Sequence, residues 1–118
     1  MPAKILIIDD DADIRSLLKR ALISCNYLVQ DAGNIQQGIE LYRRIKPHVV
    51  ILDINLPDGN GEDCINNFAD GKTVILLMSA DNNHLRKSYK DLGAHGFLKK
   101  PFKLYELLNV IKQVSLTP

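Results

Sequence analysis

Three short, uninterrupted apolar runs constrain the fold of this chain more than any other feature. They are ILII at residues 5–8, VVIL at 49–52 and VILLM at 74–78, and weaker strand candidates lie in YLVQ at 27–30 and GFL at 96–98. A strand that is apolar at every position buries both of its faces. Such strands are typical of parallel sheets that are covered by helices on both sides.

Segments with the apolar spacing of amphipathic helices separate these runs. The residues that mark the five predicted helices are Ile14, Leu17, Leu18, Ala21 and Leu22; Ile35, Ile39, Tyr42 and Ile45; Cys64, Ile65 and Phe68; Leu85, Tyr89 and Leu92; and Leu104, Leu107, Leu108, Ile111 and Val114. Asp11 is predicted as the N-cap or first-turn acid of the first helix, Asn34 as the N-cap of the second, and Gly93 as the end of the fourth. The alternation predicts an α/β fold with a five-stranded parallel sheet and right-handed crossovers, forming a single domain over residues 1–118.

The composition argues against several classes of protein. With 118 residues and 46% hydrophobic content, the chain can form a core without disulfides or a structural metal. Its apolar runs are too short to cross a bilayer and no signal sequence is visible, so we expect a cytoplasmic protein. A net charge of +1 gives no electrostatic basis for binding nucleic acid. Cys25 and Cys64 are isolated and are predicted to be reduced, partly buried thiols.

Polar residues follow the predicted strands at the points where they end. Asp9 and Asp10 follow the first strand and Asp53 the third, while Ser79 and Lys100 follow the fourth and fifth. Because the carboxyl ends of parallel strands lie at one edge of a sheet, these side chains should converge there. Clustered carboxylates repel one another, and Mg²⁺ relieves that repulsion while leaving room for phosphoryl oxygens. A lysine and a hydroxyl would hold the remaining phosphoryl oxygens, and a carboxylate can act as the nucleophile.

Four segments of this sequence resemble the signature segments of one family. They are ILIIDDD, VVILDINLPDGNG, LLMSAD and GAHGFLKKPF, in the order in which they occur along the chain. The chain is similar over essentially its whole length to the receiver domains of response regulators in two-component signalling, including the chemotaxis regulators. The resemblance implies a flavodoxin-like (βα)5 fold, a doubly wound sandwich.

The resemblance also implies a role for individual residues. Asp53 matches the phosphoacceptor, and Lys100 matches the lysine that assists phosphoryl transfer. Asp10 matches a direct ligand of Mg²⁺ or Mn²⁺, Asp9 its acidic neighbour, and Asn55 the residue whose backbone carbonyl completes the metal site.

Further positions match the switching and tuning elements of the family. Ser79 matches the hydroxyl that moves towards the phosphoryl group, and Phe97 matches the aromatic side chain that turns inward behind it. Ala80 matches the small residue that leaves the acceptor reachable, and Asp81, like Asn55, lies where it can tune hydrolysis. Pro101 matches a proline that often follows a cis bond.

The function implied by the resemblance is that of a phosphorylation-activated switch. The phosphoryl group would come from a histidine kinase, a phosphotransfer protein or a small phosphodonor. Phosphorylation would change the face formed by the fourth helix, the fifth strand and the fifth helix, which a downstream effector would bind. The chain would catalyse only its own phosphorylation and dephosphorylation, and would not bind nucleic acid or membranes.

Three other functions fit these residues less well. A phosphohydrolase with an aspartyl phosphate would need a second Asp two residues after the nucleophile, where this chain has Asn55, and it would have its acidic pair last and a cap insertion. A flavodoxin-like cofactor binder would need a phosphate-binding loop, whereas the segment DDDAD repels phosphate. A docking module that is not phosphorylated would not need every key position to be filled.

Several charged residues are predicted to have no part in the site. Asp58 and Asp63 are interpreted as loop and first-turn residues, and Lys99 as a solvated neighbour of Lys100. The scattered histidines are predicted to be structural or exposed, and the basic residues late in the chain to form a solvated face; these residues are His48, His84 and His95, and Arg86, Lys87, Lys90, Lys99 and Lys103.

Overall fold

The computed structural model describes residues 3–60, 64–80 and 89–115. Its centre is a five-stranded sheet in the order β2-β1-β3-β6-β7, in which every neighbouring pair is parallel. The strands are β1 Lys4–Ile8, β2 Leu28–Ala32, β3 Val49–Asp53, β6 Val74–Ser79 and β7 Gly96–Lys99. A short antiparallel pair, β4 Asn55–Leu56 and β5 Gly59–Asn60, follows β3. The predicted fold class is therefore confirmed.

Three α-helices are described, and the two predicted N-caps are confirmed. The helices are α1 Ala12–Ser24, α2 Ile35–Ile45 and α3 Leu104–Ser115. The Asp11 carboxylate accepts hydrogen bonds from two backbone N–H groups in the first turn of α1, and Asn34 accepts one in α2. Each cap satisfies donors that a helix start leaves without partners.

The predicted third and fourth helices have a different outcome. A three-residue 3₁₀ helix at Ile65–Asn67 occupies the place of the third, and residues 61–63 lie outside the described part. Residues 81–88 of the fourth, with Asp81, also lie outside it. The turn that follows is described: the Ala94 N–H donates to the Tyr89 carbonyl at 2.9 Å, and Gly93 has φ of 97°. Together with the Gly93 N–H, which donates to the Lys90 carbonyl at 3.0 Å, this is the hydrogen-bond pattern of a Schellman turn at the predicted glycine.

Side chains alternate between the two faces of the sheet, so the core has two layers. One layer packs Ile5, Ile7, Ile51, Leu76 and Met78 against α1 and α3. The other includes Leu6, Ile8, Val50, Leu52, Ile75 and Leu77, and α2 packs against it. Gly38 lets α2 approach β1 closely, since a Cβ at Gly38 would lie 2.5 Å from Cδ1 of Ile8.

Two predictions about burial are wrong. Leu17, assigned to the core face of α1, is 69% exposed, whereas Leu18 and Leu22 of that face are buried. The apolar face of α1 is wider than the part of it that packs against the sheet. Cys25 is exposed, while Cys64 is buried, and both are reduced, as predicted.

The strand order determines where a site can form. From β1 the chain moves to one edge of the sheet, and from β3 it moves towards the other, so the order reverses between β1 and β3. In open parallel sheets the crevice at such a reversal, at the carboxyl ends of the strands, is the usual binding position. Asp9 follows β1 and Asp53 ends β3, so both acids lie at this crevice. Among the described residues, no helix is long and apolar enough to span a membrane.

Candidate functional site

The first part of the site is the turn between β1 and α1. Asp9 is fully buried and Asp10 is exposed. Oδ1 of Asp9 accepts a hydrogen bond from the Asp11 N–H at 2.9 Å, so the turn that starts α1 also orients the buried carboxylate. The turn reverses the chain direction within three residues. The buried Asp9 carboxylate and the exposed Asp10 carboxylate can therefore both face the same crevice.

The second part is the end of β3. Asp53 is the last residue of the strand and is 5% exposed. Its Oδ1 accepts a hydrogen bond from the Asn55 N–H at 3.1 Å, which ties the carboxylate to the start of the β4–β5 hairpin. In register, Asp53 lies opposite Met78, one residue before Ser79 at the end of β6.

Lys100 joins the two buried acids. Its Nζ lies 2.6 Å from Oδ2 of Asp9 and 3.1 Å from Oδ2 of Asp53, and its side chain is 16% exposed. The Lys100 N–H donates to the Ser79 carbonyl at 2.8 Å, and the bond to Pro101 is cis. The shorter of the two contacts is the one with Asp9.

The electrostatics of the site follow from burial and from these contacts. Burial raises the pKa of the Asp53 carboxyl; the Asn55 N–H and the Lys100 charge act in the opposite direction without cancelling it. For Lys100, burial disfavours the ammonium, but the hydrogen bond to Asp9 and the charges of Asp53 and Asp9 outweigh it, so the pKa is raised. The ammonium therefore stays charged and neutralises part of the acidic cluster.

The three carboxylates can hold a metal ion. One oxygen from each of Asp9, Asp10 and Asp53 can be chosen so that all three lie within 4.8 Å of one another. With Lys100 the group has three negative charges and one positive charge, so an excess of negative charge remains. Hard oxygen donors with such an excess fit a divalent cation such as Mg²⁺.

Three of the residues predicted for switching and tuning lie in or directly after β6 and β7. Ser79 is fully buried at the end of β6, beside β3, and Ala80 after it is exposed. Phe97 is half-buried in β7, opposite Leu77, and packs against the core layer that faces α2.

Two contacts that support the site were not predicted from the sequence. Asp58, interpreted as a loop residue, accepts hydrogen bonds from the N–H groups of Ile35 at 2.8 Å and Gln36 at 3.1 Å. These bonds hold the pKa of the Asp58 carboxyl below its usual value, and they anchor the hairpin that follows Asp53 on the start of α2. Arg15 donates to the backbone carbonyl of Asp9 at 2.6 Å. The Asp58 contacts join residues 23 and 22 positions apart, so no local pattern indicates them. The Arg15 contact spans six residues, but it depends on how α1 packs against β1, which the sequence pattern does not specify.

The histidines that the structure describes have structural roles. Nδ1 of His48 accepts a hydrogen bond from the Lys4 N–H at 2.9 Å, and Nδ1 of His95 accepts one from the Ile75 N–H at 3.0 Å. Each imidazole thus extends the hydrogen bonding of a parallel strand pair at its start. His84 lies outside the described residues, and Lys99 is exposed as predicted.

Known proteins are similar to this chain in sequence and in architecture. The model of the response regulator receiver domain family matches residues 5–112. The response regulator MprA of Mycolicibacterium vanbaalenii is 34% identical over 111 residues, which are 92% of this chain and 48% of MprA. The chain thus spans about half the length of this curated relative.

Solved structures of receiver domains have the same fold as this chain. The non-phosphorylated HemR receiver domain from Leptospira biflexa is 35% identical, with a TM-score of 0.86 over 100% of this chain and 98% of that one. The BeF3-activated DrrB receiver domain is 26% identical, with a TM-score of 0.83 over 96% of this chain and 97% of that one.

Proposed function

Since the chain belongs to the response-regulator receiver domains, we propose that Asp53 is the residue that accepts its phosphoryl group. Receiver domains are phosphorylation-activated switches of two-component signalling. One observation carries the assignment. The Asp53 carboxylate is buried at the strand-order reversal, within 3.1 Å of the Lys100 ammonium and beside the oxygens of Asp9 and Asp10.

The chemistry is the transfer of a phosphoryl group from a nitrogen or oxygen atom of the donor to a carboxylate oxygen of Asp53. A carboxylate oxygen of Asp53 attacks the phosphorus of the donor in line; the new O–P bond forms as the bond to the leaving group breaks. Lys100 stabilises the negative charge that develops on the phosphoryl oxygens. Asp9, Asp10, Asp53 and the Asn55 backbone carbonyl would hold Mg²⁺ or Mn²⁺, which when bound neutralises further charge at this position.

Ser79 and Phe97 then act as the switch. The Ser79 hydroxyl moves towards the phosphoryl group and donates a hydrogen bond to it. Phe97 then fills the space that Ser79 leaves. The change shifts a pre-existing equilibrium between two surfaces, one of which binds the downstream effector. Ala80, being small and exposed, leaves the acceptor open to the donor, and Asn55 and Asp81 tune the later attack of water that resets the switch.

An apolar cleft next to the site offers a surface for a phosphodonor protein, a histidine kinase or a phosphotransfer protein. The cleft has a volume of about 450 Å³ and its lining includes Leu17, Ala80, Lys100 and Leu104. We expect the exposed Leu17 side chain to form part of this docking surface. Leu17→Gln should slow transfer from the partner protein and leave phosphorylation by acetyl phosphate unchanged; equal slowing with both donors would refute this docking surface.

The alternative functions are less well supported by the same site. A phosphohydrolase would need an acid at position 55, and the side chain of Asn55 cannot transfer a proton. A docking module that is not phosphorylated would have no use for a buried acid pair with a shared lysine.

The proposed function is tested by intact mass after incubation with acetyl phosphate and Mg²⁺. We expect one phosphoryl adduct that hydroxylamine removes, absent in Asp53→Asn and in the presence of a chelator. Glu40→Gln, which removes an exposed acid from α2, is the matched control and should still form the adduct. If neither the adduct nor Mg²⁺-dependent binding of beryllofluoride is observed, the assignment is refuted.

A further inference from the structure

Arg15 of α1 connects two strand ends behind the acidic cluster. Its Nε donates to Oδ2 of Asp31, at the end of β2, at 2.9 Å, and its Nη1 donates to the Asp9 carbonyl at 2.6 Å. The side chains of Arg15 and Asp31 are 20% and 26% exposed, so water only partly competes for these bonds. The planar guanidinium holds both acceptors at once in a fixed geometry.

The Asp9 carbonyl belongs to the peptide unit that joins Asp9 to Asp10. A peptide unit is planar, so a hydrogen bond that fixes its oxygen also fixes the direction in which the chain continues to Asp10. On the other side of Asp9, its N–H donates to the Ala32 carbonyl at 3.1 Å. The backbone of Asp9 is therefore held at both ends, by β2 and by Arg15.

We infer that Arg15 is a positioning residue for the metal site, which acts by fixing the peptide unit that directs the exposed Asp10 carboxylate towards Asp9 and Asp53. The inference rests on the proposed function, since it assigns Arg15 to the Mg²⁺ site of that function. Groups that orient the ligands of a metal affect its affinity without touching it.

The charge of Arg15 is compensated on the side away from the site. A cation beside the cluster opposes the binding of a metal ion, but Asp31 neutralises it and also pairs with Lys19 at 3.1 Å. Burial alone would raise the pKa of Asp31, but the hydrogen bonds and charges of Lys19 and Arg15 outweigh it and lower the pKa. Asp31 is therefore ionised at neutral pH, and Arg15 can orient Asp10 with little electrostatic cost to the metal.

Gly33 leaves the space that the guanidinium occupies. A Cβ at this position would lie 3.2 Å from Nη1 of Arg15, in a tight contact. Gly33→Ala therefore displaces the group that holds the Asp9 carbonyl without removing its charge.

The test is the dissociation constant of Mg²⁺, measured by titration calorimetry on the folded domain without any phosphodonor. Arg15→Met should raise it about tenfold, the usual effect of losing a group that orients a ligand. Arg15→Lys should not restore the affinity, because an ammonium cannot hold both acceptors in the fork geometry. Lys19 pairs with the same carboxylate as Arg15, that of Asp31, but does not contact Asp9. Lys19→Met should therefore leave the dissociation constant of Mg²⁺ unchanged.

Two further readouts separate positioning from a merely structural role. Gly33→Ala should raise the dissociation constant in the same direction by a smaller factor, and it keeps the test decisive if Arg15→Met does not fold. With acetyl phosphate, Arg15→Met should need more Mg²⁺ for half-maximal phosphorylation while reaching the wild-type rate at saturation. Wild-type Mg²⁺ affinity in both variants, with lower thermal stability, would overturn the inference and leave the proposed function standing. A wild-type protein that binds no Mg²⁺ would refute both.

Discussion

Replacing Lys100 with methionine removes the cation that the two buried acids share. Asp9 and Asp53 would keep their burial and lose contacts of 2.6 and 3.1 Å. Breaking a buried ion pair by removing one partner costs about 3–5 kcal/mol. Because the crevice admits some water to Lys100, we expect the lower end, about 3 kcal/mol, from a total stability of roughly 5–15 kcal/mol.

The pH dependence of this loss has a definite sign. Burial already raises the pKa of the Asp53 carboxyl, and without Lys100 this pKa should lie further above its value in the unfolded chain, so the folded state binds more protons. The destabilisation should therefore be largest at neutral pH and should shrink as the pH falls through the raised pKa of Asp53. Mg²⁺ should also restore stability, and by more than in the wild type, because it enters a site with one more uncompensated negative charge.

The assay is urea unfolding followed by circular dichroism, with chelator and with Mg²⁺, at pH 7 and pH 5. Lys99→Met is the matched control, since it removes the neighbouring lysine, which is exposed, and it should change stability little. The reasoning would be refuted if Lys100→Met in chelator at pH 7 were as stable as the wild type, or if Mg²⁺ stabilised it less than the wild type.

Other substitutions test the supports of the fold. Asp70 accepts four hydrogen bonds, including one from a tyrosine hydroxyl; Asp70→Ala should lower the free energy of unfolding in urea by about 1–2 kcal/mol. These bonds hold the pKa of Asp70 well below its usual value, so its contribution should be present at neutral pH and lost as the pH falls below about 4; an unchanged acid limb in Asp70→Ala would contradict this. Gly38→Ala should lower the free energy of unfolding by about 1–3 kcal/mol by crowding Ile8. In the double variant with Ile8→Val, the free energy of unfolding should fall by less than the sum of the two single changes. Simple additivity would rule out the contact. Asp58→Ala should lower the thermal unfolding midpoint, because the N–H groups of Ile35 and Gln36 at the start of α2 lose their acceptor. Full wild-type stability would show that Asn34 suffices as the cap.

Features that depend on neighbouring residues could be predicted from the sequence. The N-caps at Asp11 and Asn34 and the turn at Gly93 are set by a side chain or a φ value within one turn. The continuous apolar runs required burial on both faces, which led to the parallel sheet. The rule that parallel strands end at one edge then predicted that Asp9, Asp10, Asp53 and Lys100 converge, as they do.

Predictions failed where the result depends on how far one element covers another. Leu17 has the spacing of a core residue, but α1 covers the sheet through Leu18 and Leu22, so Leu17 faces the cleft beside Lys100. The helix predicted around Ile65 is described only as a three-residue 3₁₀ helix. The roles of Ser79, Phe97 and Asp81 come from the resemblance and stay predictions.

The sequence by itself determined the order of elements, the parallel sheet and the acidic character of the edge where the strands end. Those properties follow from local apolar patterning and from residue types. Only the tertiary structure decided that Lys100 lies closer to Asp9 than to Asp53, that Asp58 caps a helix 23 residues away and that Arg15 fixes the Asp9 carbonyl. The physical reason is that each contact depends on how separate elements pack. The folded sheet brings Lys100 and Asp58 to residues far away in the chain, and the packing of α1 against β1 brings the Arg15 side chain to the Asp9 carbonyl six residues earlier. A hydrogen bond forms only when donor and acceptor lie about 2.7–3.2 Å apart, and a local sequence pattern does not fix that distance.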